Sequence, residues 1–250
     1  PVSDSLVPKI KALGARRPLA TPRPAARPDV PATPLPPSLE RSSSEPYRLL
    51  VIGSSTGGPE ALHSVLSTLP VLPVPVAVVQ HMPPVFTEQF AKRLDRSSAW
   101  DVSEVQDGQI VLPGQVVIAR GDHHLELVST HRGFRAKTSQ GPQENYCRPA
   151  VDVLFRSAAT AAGAGVLALV LTGMGQDGER GADAIVRRGG SVLAQDRETS
   201  VVWGMPGAVT QAGLAERVLP LHQVGSELTQ RLSPTTRTNR RPVPALEVKR

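Results

Sequence analysis

Aromatic residues are scarce, with Phe, Tyr and Trp together making up 3% of the 250 residues. Hydrophobic residues nonetheless reach 40%, so the core must be built from Val, Leu, Ile and Ala. Such residues suit a buried parallel sheet with alanine-rich helices packed on it. There is one cysteine, Cys147, which excludes an internal disulfide framework and fits a reducing, cytoplasmic setting. Long apolar runs are missing too: Val166–Leu171 stops at six residues, against roughly 20 for a spanning helix. No membrane insertion is expected. The N-terminus lacks the apolar stretch of a signal peptide. It begins at Pro1 rather than Met, which reads as a fragment or a processed product.

The net charge of +6 is unevenly placed. Residues 1–46 carry a net of +3, residues 233–250 a net of +4, and residues 47–232 a net of −1. The basic ends read as solubilising tails rather than a nucleic-acid surface, and the near-neutral middle lacks the aromatic-plus-basic stripe of a single-strand binder. No nucleic-acid partner is expected. Residues 1–46 also hold 11 of the 25 prolines and read as a semi-extended linker. Inside it, Leu6, Ile10 and Leu13 have helical spacing. The stretch 4–13 is either the end of a preceding domain's helix or an incidental apolar cluster. Residues 233–250 read as a disordered basic tail.

From Tyr47 the texture is that of a folded domain, 47–232. "RLLVIG", "EALHSVLSTL", "VPVAVVQ" and "FTEQFAKRL" read as strand, helix, strand, helix. After Trp100, "GQVVIAR", "HLELVS" and "GFRAKTS" read as a small antiparallel β insert of two or three strands. "RPAVDVLFRSAATAA" is a helix, with Val151, Leu154, Phe155 and Ala158 on one face. "GVLALVLTG" is a strand buried on both faces, followed by a helix ending at Gly189, the strand "SVLAQD" and the helix "MPGAVTQAGLA". This alternation predicts an α/β fold: a doubly wound, mostly parallel sheet with helices on both faces.

In such a sheet, chemistry gathers just beyond the carboxyl ends of the strands. After Ile52 comes Gly53-Ser54-Ser55-Thr56-Gly57-Gly58. A P-loop needs a lysine after its last glycine; here Pro59 and Glu60 follow, a poor phosphate site. The dinucleotide fingerprint fails as well, because Ser55 stands where its second glycine belongs. G-x-S-x-G does fit, as Gly53 to Gly57, a motif whose strained turn lifts the central serine above the sheet. The same letters also describe a plain Gly/Ser turn. A serine nucleophile needs a base and an orienting acid. His81 lies at a strand end, where it is either that base or a capping group. Asp177 and Asp196 both follow strands and are candidates for the acid. Asp177 reads equally as the N-cap of the helix near Glu179. Asp122-His123-His124 offers a compact pair of histidines without a well-spaced third ligand, so no metal is expected.

Five blocks carry a resemblance: "VIGSSTGGPEAL", "VVQHMPPVFTEQFAKRL", "RPAVDVLFRSAA", "VLTGMGQDGERG" and "VVWGMPGAV". Together, from about Tyr47 to Leu232, they resemble the catalytic domain of the chemotaxis protein-glutamate methylesterases. The resemblance implies Ser55 as nucleophile, His81 as base, Asp177 as orienting acid, the backbone N–H of Met174 as oxyanion donor and Thr56 as a lining residue. It implies hydrolysis of glutamate γ-methyl esters on the cytoplasmic helices of chemoreceptors, releasing methanol, and deamidation of receptor glutamines in many members. It implies no cofactor. It also implies an N-terminal receiver domain as a partner, which covers the site until phosphorylated. Ser54 stands where Ala is commoner in the family, and Ala150 where Ser is commoner. The Ser54 side chain is expected to point away from the cleft. Competing readings are a silent docking module of the same fold, countered by the Ser/His/Asp set, and a nucleotide-binding regulator, countered by the missing lysine.

Overall fold

Leu49 to Ile52 show how the layers arise. Side chains alternate along a strand, so Leu49 and Val51 enter one core while Leu50 and Ile52 enter the other. All six residues of this strand, β1 (Leu49–Ser54), are buried. A continuous apolar run therefore needs cover on both faces.

The computed structural model describes residues 45–233. The helix remnant read at 4–13, nearly all of the linker and nearly all of the basic tail lie outside the described residues. After β1 come α1 (Gly58–Thr68), β2 (Val76–Gln80), α2 (Pro84–Ser97), β3 (Asp101–Glu104), β4 (Ile110–Val111) and β5 (Gln115–Ile118). Then follow β6 (His124–Thr130), β7 (Gly133–Ser139), α3 (Val151–Ala162), β8 (Val166–Val170) and α4 (Glu179–Arg187). The last are β9 (Ser191–Gln195), α5 (Met205–Gln211), β10 (Arg217–Leu219) and α6 (Leu221–Leu232).

Seven strands form one sheet in the order β10-β9-β8-β1-β2-β5-β3, and every pairing in it is parallel. Leu62 and Leu66 of α1, Phe90 and Leu94 of α2, and Val224 and Leu228 of α6 cover one face. Leu154 and Phe155 of α3, Ala182 and Ile185 of α4, and Val209 of α5 cover the other. Each of the Leu, Ile, Val and Phe side chains among these contributes about 1.5–3 kcal/mol when fully buried. The chain runs from β1 to β2 on one side and returns through β8 on the other. The switch point therefore lies at the carboxyl ends of β1 and β8, where a ligand crevice opens in this class of sheet.

The antiparallel insert is present, but its membership differs from the sequence reading. It is a three-stranded sheet in the order β4-β7-β6. Gln115–Ile118 belongs instead to the main sheet, parallel to both β2 and β3. Val116, Val117, Ile118 and Ala119 are all fully buried, and that unbroken apolar run is what a strand covered on both faces requires. Among the described residues no helix is long and apolar enough to cross a membrane.

Candidate active site

Three loops leave the carboxyl ends of β1, β2 and β8, and the backbone stitches them together. Ser55 N donates to Thr172 O at 3.0 Å, and His81 N donates to Ser54 O at 3.1 Å. Ser55 is half-buried and Thr56 exposed. The Thr172 hydroxyl donates to Thr56 O at 2.9 Å, which fixes that peptide. Gly173 packs against the nucleophile loop: a Cβ there would stand 2.8 Å from Ser55 Cβ and collide with Met205 Sδ. The turn is not a strained serine elbow, because Ser55 has no positive φ. The left-handed residue is Gly57, at φ 81°, which serves as the N-cap of α1. Glycine adopts that conformation without the Cβ penalty.

Ser54 is fully buried and its hydroxyl donates to Gln80 Oε1 at 2.7 Å, away from the cleft as its place at the strand end requires. The Gln80 amide in turn donates to Ser55 O and to His81 O, each at 3.0 Å. One side-chain amide thus ties the serine loop to the histidine loop.

His81 and Asp177 meet, with His81 Nε2 2.8 Å from Asp177 Oδ2. The other ring nitrogen, Nδ1, faces Cys147 Sγ at 3.6 Å. No Ser55–His81 hydrogen bond occurs among the described residues. Asp196, the other candidate acid, accepts instead from Thr199 N at 3.0 Å and closes a local turn.

Asp177 is buried, yet accepts four hydrogen bonds. Besides His81, its Oδ2 accepts from Val151 N at 2.6 Å and its Oδ1 from Asp152 N at 3.0 Å and Asn145 Nδ2 at 2.8 Å. Two of the donors are the first N–H groups of α3, where a carboxylate also meets the positive end of the helix dipole. Asp177 is therefore a cap, but of α3 rather than of α4. The N-cap of α4 is Gly178, in a left-handed conformation without a side-chain cap. Asp152 does that work: its Oδ1 accepts from Gly178 N at 3.0 Å and Gly181 N at 2.7 Å. The two helices exchange capping carboxylates, and Asn145 Nδ2 bridges both, reaching Asp152 Oδ2 at 2.9 Å.

The electrostatics follow from this wiring. Burial disfavours the charged form of His81, but the hydrogen bond to Asp177 and the Cys147 sulfur outweigh it and push the imidazole up to about 9. Burial also opposes ionisation of Asp177, yet His81 and the α3 amides hold its carboxyl below the usual range. Asp152 is pushed upward, because burial dominates over its hydrogen bonds. The ordinary value near 6.5 expected of an unperturbed histidine therefore does not apply to His81.

Met174 is exposed, and its N–H makes no backbone hydrogen bond among the described residues, as does that of Thr56. Asp122, His123 and His124 diverge. Asp122 pairs with Arg148, His123 turns to Gly121 O, and His124 Nδ1 accepts from Ala150 N while Nε2 meets Pro142 O. Among the described residues no cluster of three or more His, Cys, Asp or Glu side chains could hold a metal ion. Sequence reasoning missed Gln80, Asn145, Cys147 and Asp152. Two of these flank the motifs that it did find: Gln80 precedes His81, and Asp152 sits within "RPAVD".

With that geometry in place, the pattern of the CheB methylesterase family matches residues 50–228. The chain belongs to this family. It is 59% identical over 235 residues to a protein-glutamate methylesterase/protein-glutamine glutaminase of a Nocardioides species, covering 93% of this chain and 63% of that protein. A protein of the same description from Paramagnetospirillum magneticum is 45% identical over 239 residues, covering 88% of this chain and 63% of its own. The chain thus spans less than two thirds of these relatives' length. The crystal structure of the Thermotoga maritima CheB methylesterase catalytic domain superposes with a TM-score of 0.72 at 43% identity, covering 74% of this chain and 99% of that one.

Proposed function

We propose that residues 47–232 form a cytoplasmic serine hydrolase domain that removes methyl groups from glutamate γ-methyl esters on chemoreceptor helices and deamidates receptor glutamines. The observation that carries the reading is the His81 Nε2–Asp177 Oδ2 contact of 2.8 Å on the loops that flank Ser55. With its Nε2 proton committed to Asp177, neutral His81 presents Nδ1 as the basic nitrogen. Ser55 Oγ attacks the ester carbonyl as His81 takes its proton, and that proton leaves with methanol. Water then resolves the acyl-enzyme by the same route. On a glutamine the leaving group is ammonia. Asp177 holds the tautomer and stabilises the imidazolium.

The N–H of Met174 is the oxyanion donor, with Thr56 lining the site; in support, neither N–H has a backbone partner among the described residues. Losing one such donor costs roughly 3–4 kcal/mol in comparable enzymes. No step calls for a metal or an organic cofactor. In the longer protein, a receiver domain attached through the proline-rich linker covers the site until it is phosphorylated.

The test is methanol release from radiomethylated receptor membranes, alongside labelling by a serine-directed fluorophosphonate. Release and labelling are expected, and both should vanish in Ser55→Ala. A folded chain that neither labels nor releases methanol would be the silent docking module instead.

A further inference from the structure

Glu144 and Cys147 close a two-residue hairpin loop, with Glu144 N donating to Cys147 O at 3.1 Å and Cys147 N to Glu144 O at 2.8 Å. The two central residues, Asn145 and Tyr146, have φ of 51° and 61°. Two positive φ values in a two-residue loop define the type I′ turn, whose preferred sequence is Asn-Gly. Asn145 suits its place. Tyr146 does not, because a bulky side chain at positive φ is a genuine outlier.

The surroundings hold the turn in this shape. Asn145 bonds to Asp177 and Asp152, Glu144 makes a two-pronged pair with Arg156 at 2.7 and 2.6 Å, and Cys147 lies against His81. Tyr146 takes no part in that scaffold, since the residue is 96% exposed. An aromatic ring on a strained backbone and in water adds nothing to the stability of the free chain. It stands, however, on the shared wall of two cavities. One, of about 490 Å³, is lined also by Gly175, Gln176 and Trp203. The other, of about 310 Å³, is lined also by His81, Cys147 and Arg148.

We propose that Tyr146 is a substrate-anchoring residue that packs on the receptor helix beside the reacting glutamate. This rests on the methylesterase reading above. Residues three and four apart on a helix share a face, with Cβ atoms roughly 5–6 Å apart. A ring carried between Asp177's partner Asn145 and the histidine's neighbour Cys147 would meet the helix roughly one turn from the glutamate. The preferred substrate therefore carries an apolar or small side chain at that place. Tyrosine offers a large rigid surface with a polar tip, and such rings dominate binding at interface centres. The strain is then a feature of the binding site, as backbone outliers near functional groups often are.

The test uses the full chain with Tyr146→Gly and Tyr146→Phe, measuring receptor demethylation, hydrolysis of p-nitrophenyl acetate and thermal unfolding. Glycine relieves the turn, so Tyr146→Gly should raise Tm by about 2 °C. Its KM for methylated receptor should rise by about tenfold, the loss expected of one interface anchor. Its rate on the small ester should stay within about twofold, because the reacting groups are untouched. Tyr146→Phe should keep a near-native KM for the receptor. An unchanged receptor KM in Tyr146→Gly overturns the anchor. So does a parallel fall on both substrates, which would make Tyr146 a support for the histidine and aspartate. If the unaltered chain hydrolyses the small ester but releases no methanol from receptor, the methylesterase reading falls and the anchor falls with it. Unaltered release with an indifferent Tyr146→Gly sinks the anchor alone.

Discussion

Gln80 shows why single residues near the site differ so much in consequence. Its amide oxygen accepts from Ser54 Oγ, and its amide nitrogen donates to the carbonyls of Ser55 and His81. If the amide turned over, its oxygen would face two carbonyl oxygens, so the Ser54 hydroxyl also fixes its sense. Ser54→Ala should therefore cost about 1 kcal/mol of stability, the usual price of one intramolecular hydrogen bond, with only a few-fold loss of rate. Ser55→Ala should lower turnover by about 10⁶. Methanol release with thermal melts of both variants checks this; a dead Ser54→Ala beside an active Ser55→Ala would put the nucleophile one residue earlier. The pH profile is the second residue-scale expectation. Only the neutral imidazole accepts the serine proton, and His81 sits at about 9, so kcat/KM should climb with pH well above the ordinary histidine range. Cys147→Ala removes one of the groups that raise His81 and should move this limb to lower pH. A profile that is flat from pH 6 to 10 would count against His81 as the base. The placement of Ser55, His81 and Asp177 beyond strand ends was legible, because each lies after an apolar run that reads as a strand. Gln80 and Asn145 were not, because their partners lie across folds of the chain that no local spacing reveals.

At the scale of elements, α3 starts without a cap of its own. Ala150 occupies the N-cap and makes no side-chain bond there, while Asp177 accepts from the first two N–H groups. Serine at an N-cap accepts from the second or third N–H, and the third, Val153 N, is left over. Ala150→Ser should stabilise the chain by about 0.5–1 kcal/mol, seen as a higher midpoint in denaturant at an unchanged slope. A lower midpoint would mean that the fully buried Ala150 site has no room for a hydroxyl. The long apolar strands β1, β2 and β8 and the amphipathic α3 were readable because their patterns are long. Shorter pieces were not. β4 has two residues and β10 three, too few to show a period. β5 was assigned to the antiparallel insert because its short apolar run follows a stretch rich in Gly and Asp. Strand partners are set by the whole sheet, not by local texture, and β5 fills the gap between β2 and β3.

At the scale of the molecule, the same proton that blocks the proposed chemistry stabilises the fold. His81 has its pKa raised from 6.5 to about 9 by folding. A group raised in this way adds stability that is fully present below the unfolded value and is lost as pH rises through the folded one. The His81 contribution is therefore complete below about pH 6.5 and gone above about pH 9. Asp177 behaves in the opposite sense: its carboxyl is held below 3.8, so its contribution is present above that value and is lost only in acid. Between pH 6.5 and 9 the Asp177 contribution is constant, and the His81–Asp177 pair should weaken as the histidine becomes a competent base. Stability and catalytic rate should thus have opposite slopes across this window. The measurement is the Tm of the unaltered chain and of His81→Gln from pH 6 to 10, taken as the difference between them so that other titrating groups cancel. The difference should fall steadily as pH rises toward 9, while methanol release by the unaltered chain increases over the same interval. A difference that stays level would mean that His81 is already neutral in the folded protein, and that Asp177 holds an imidazole rather than an imidazolium at rest.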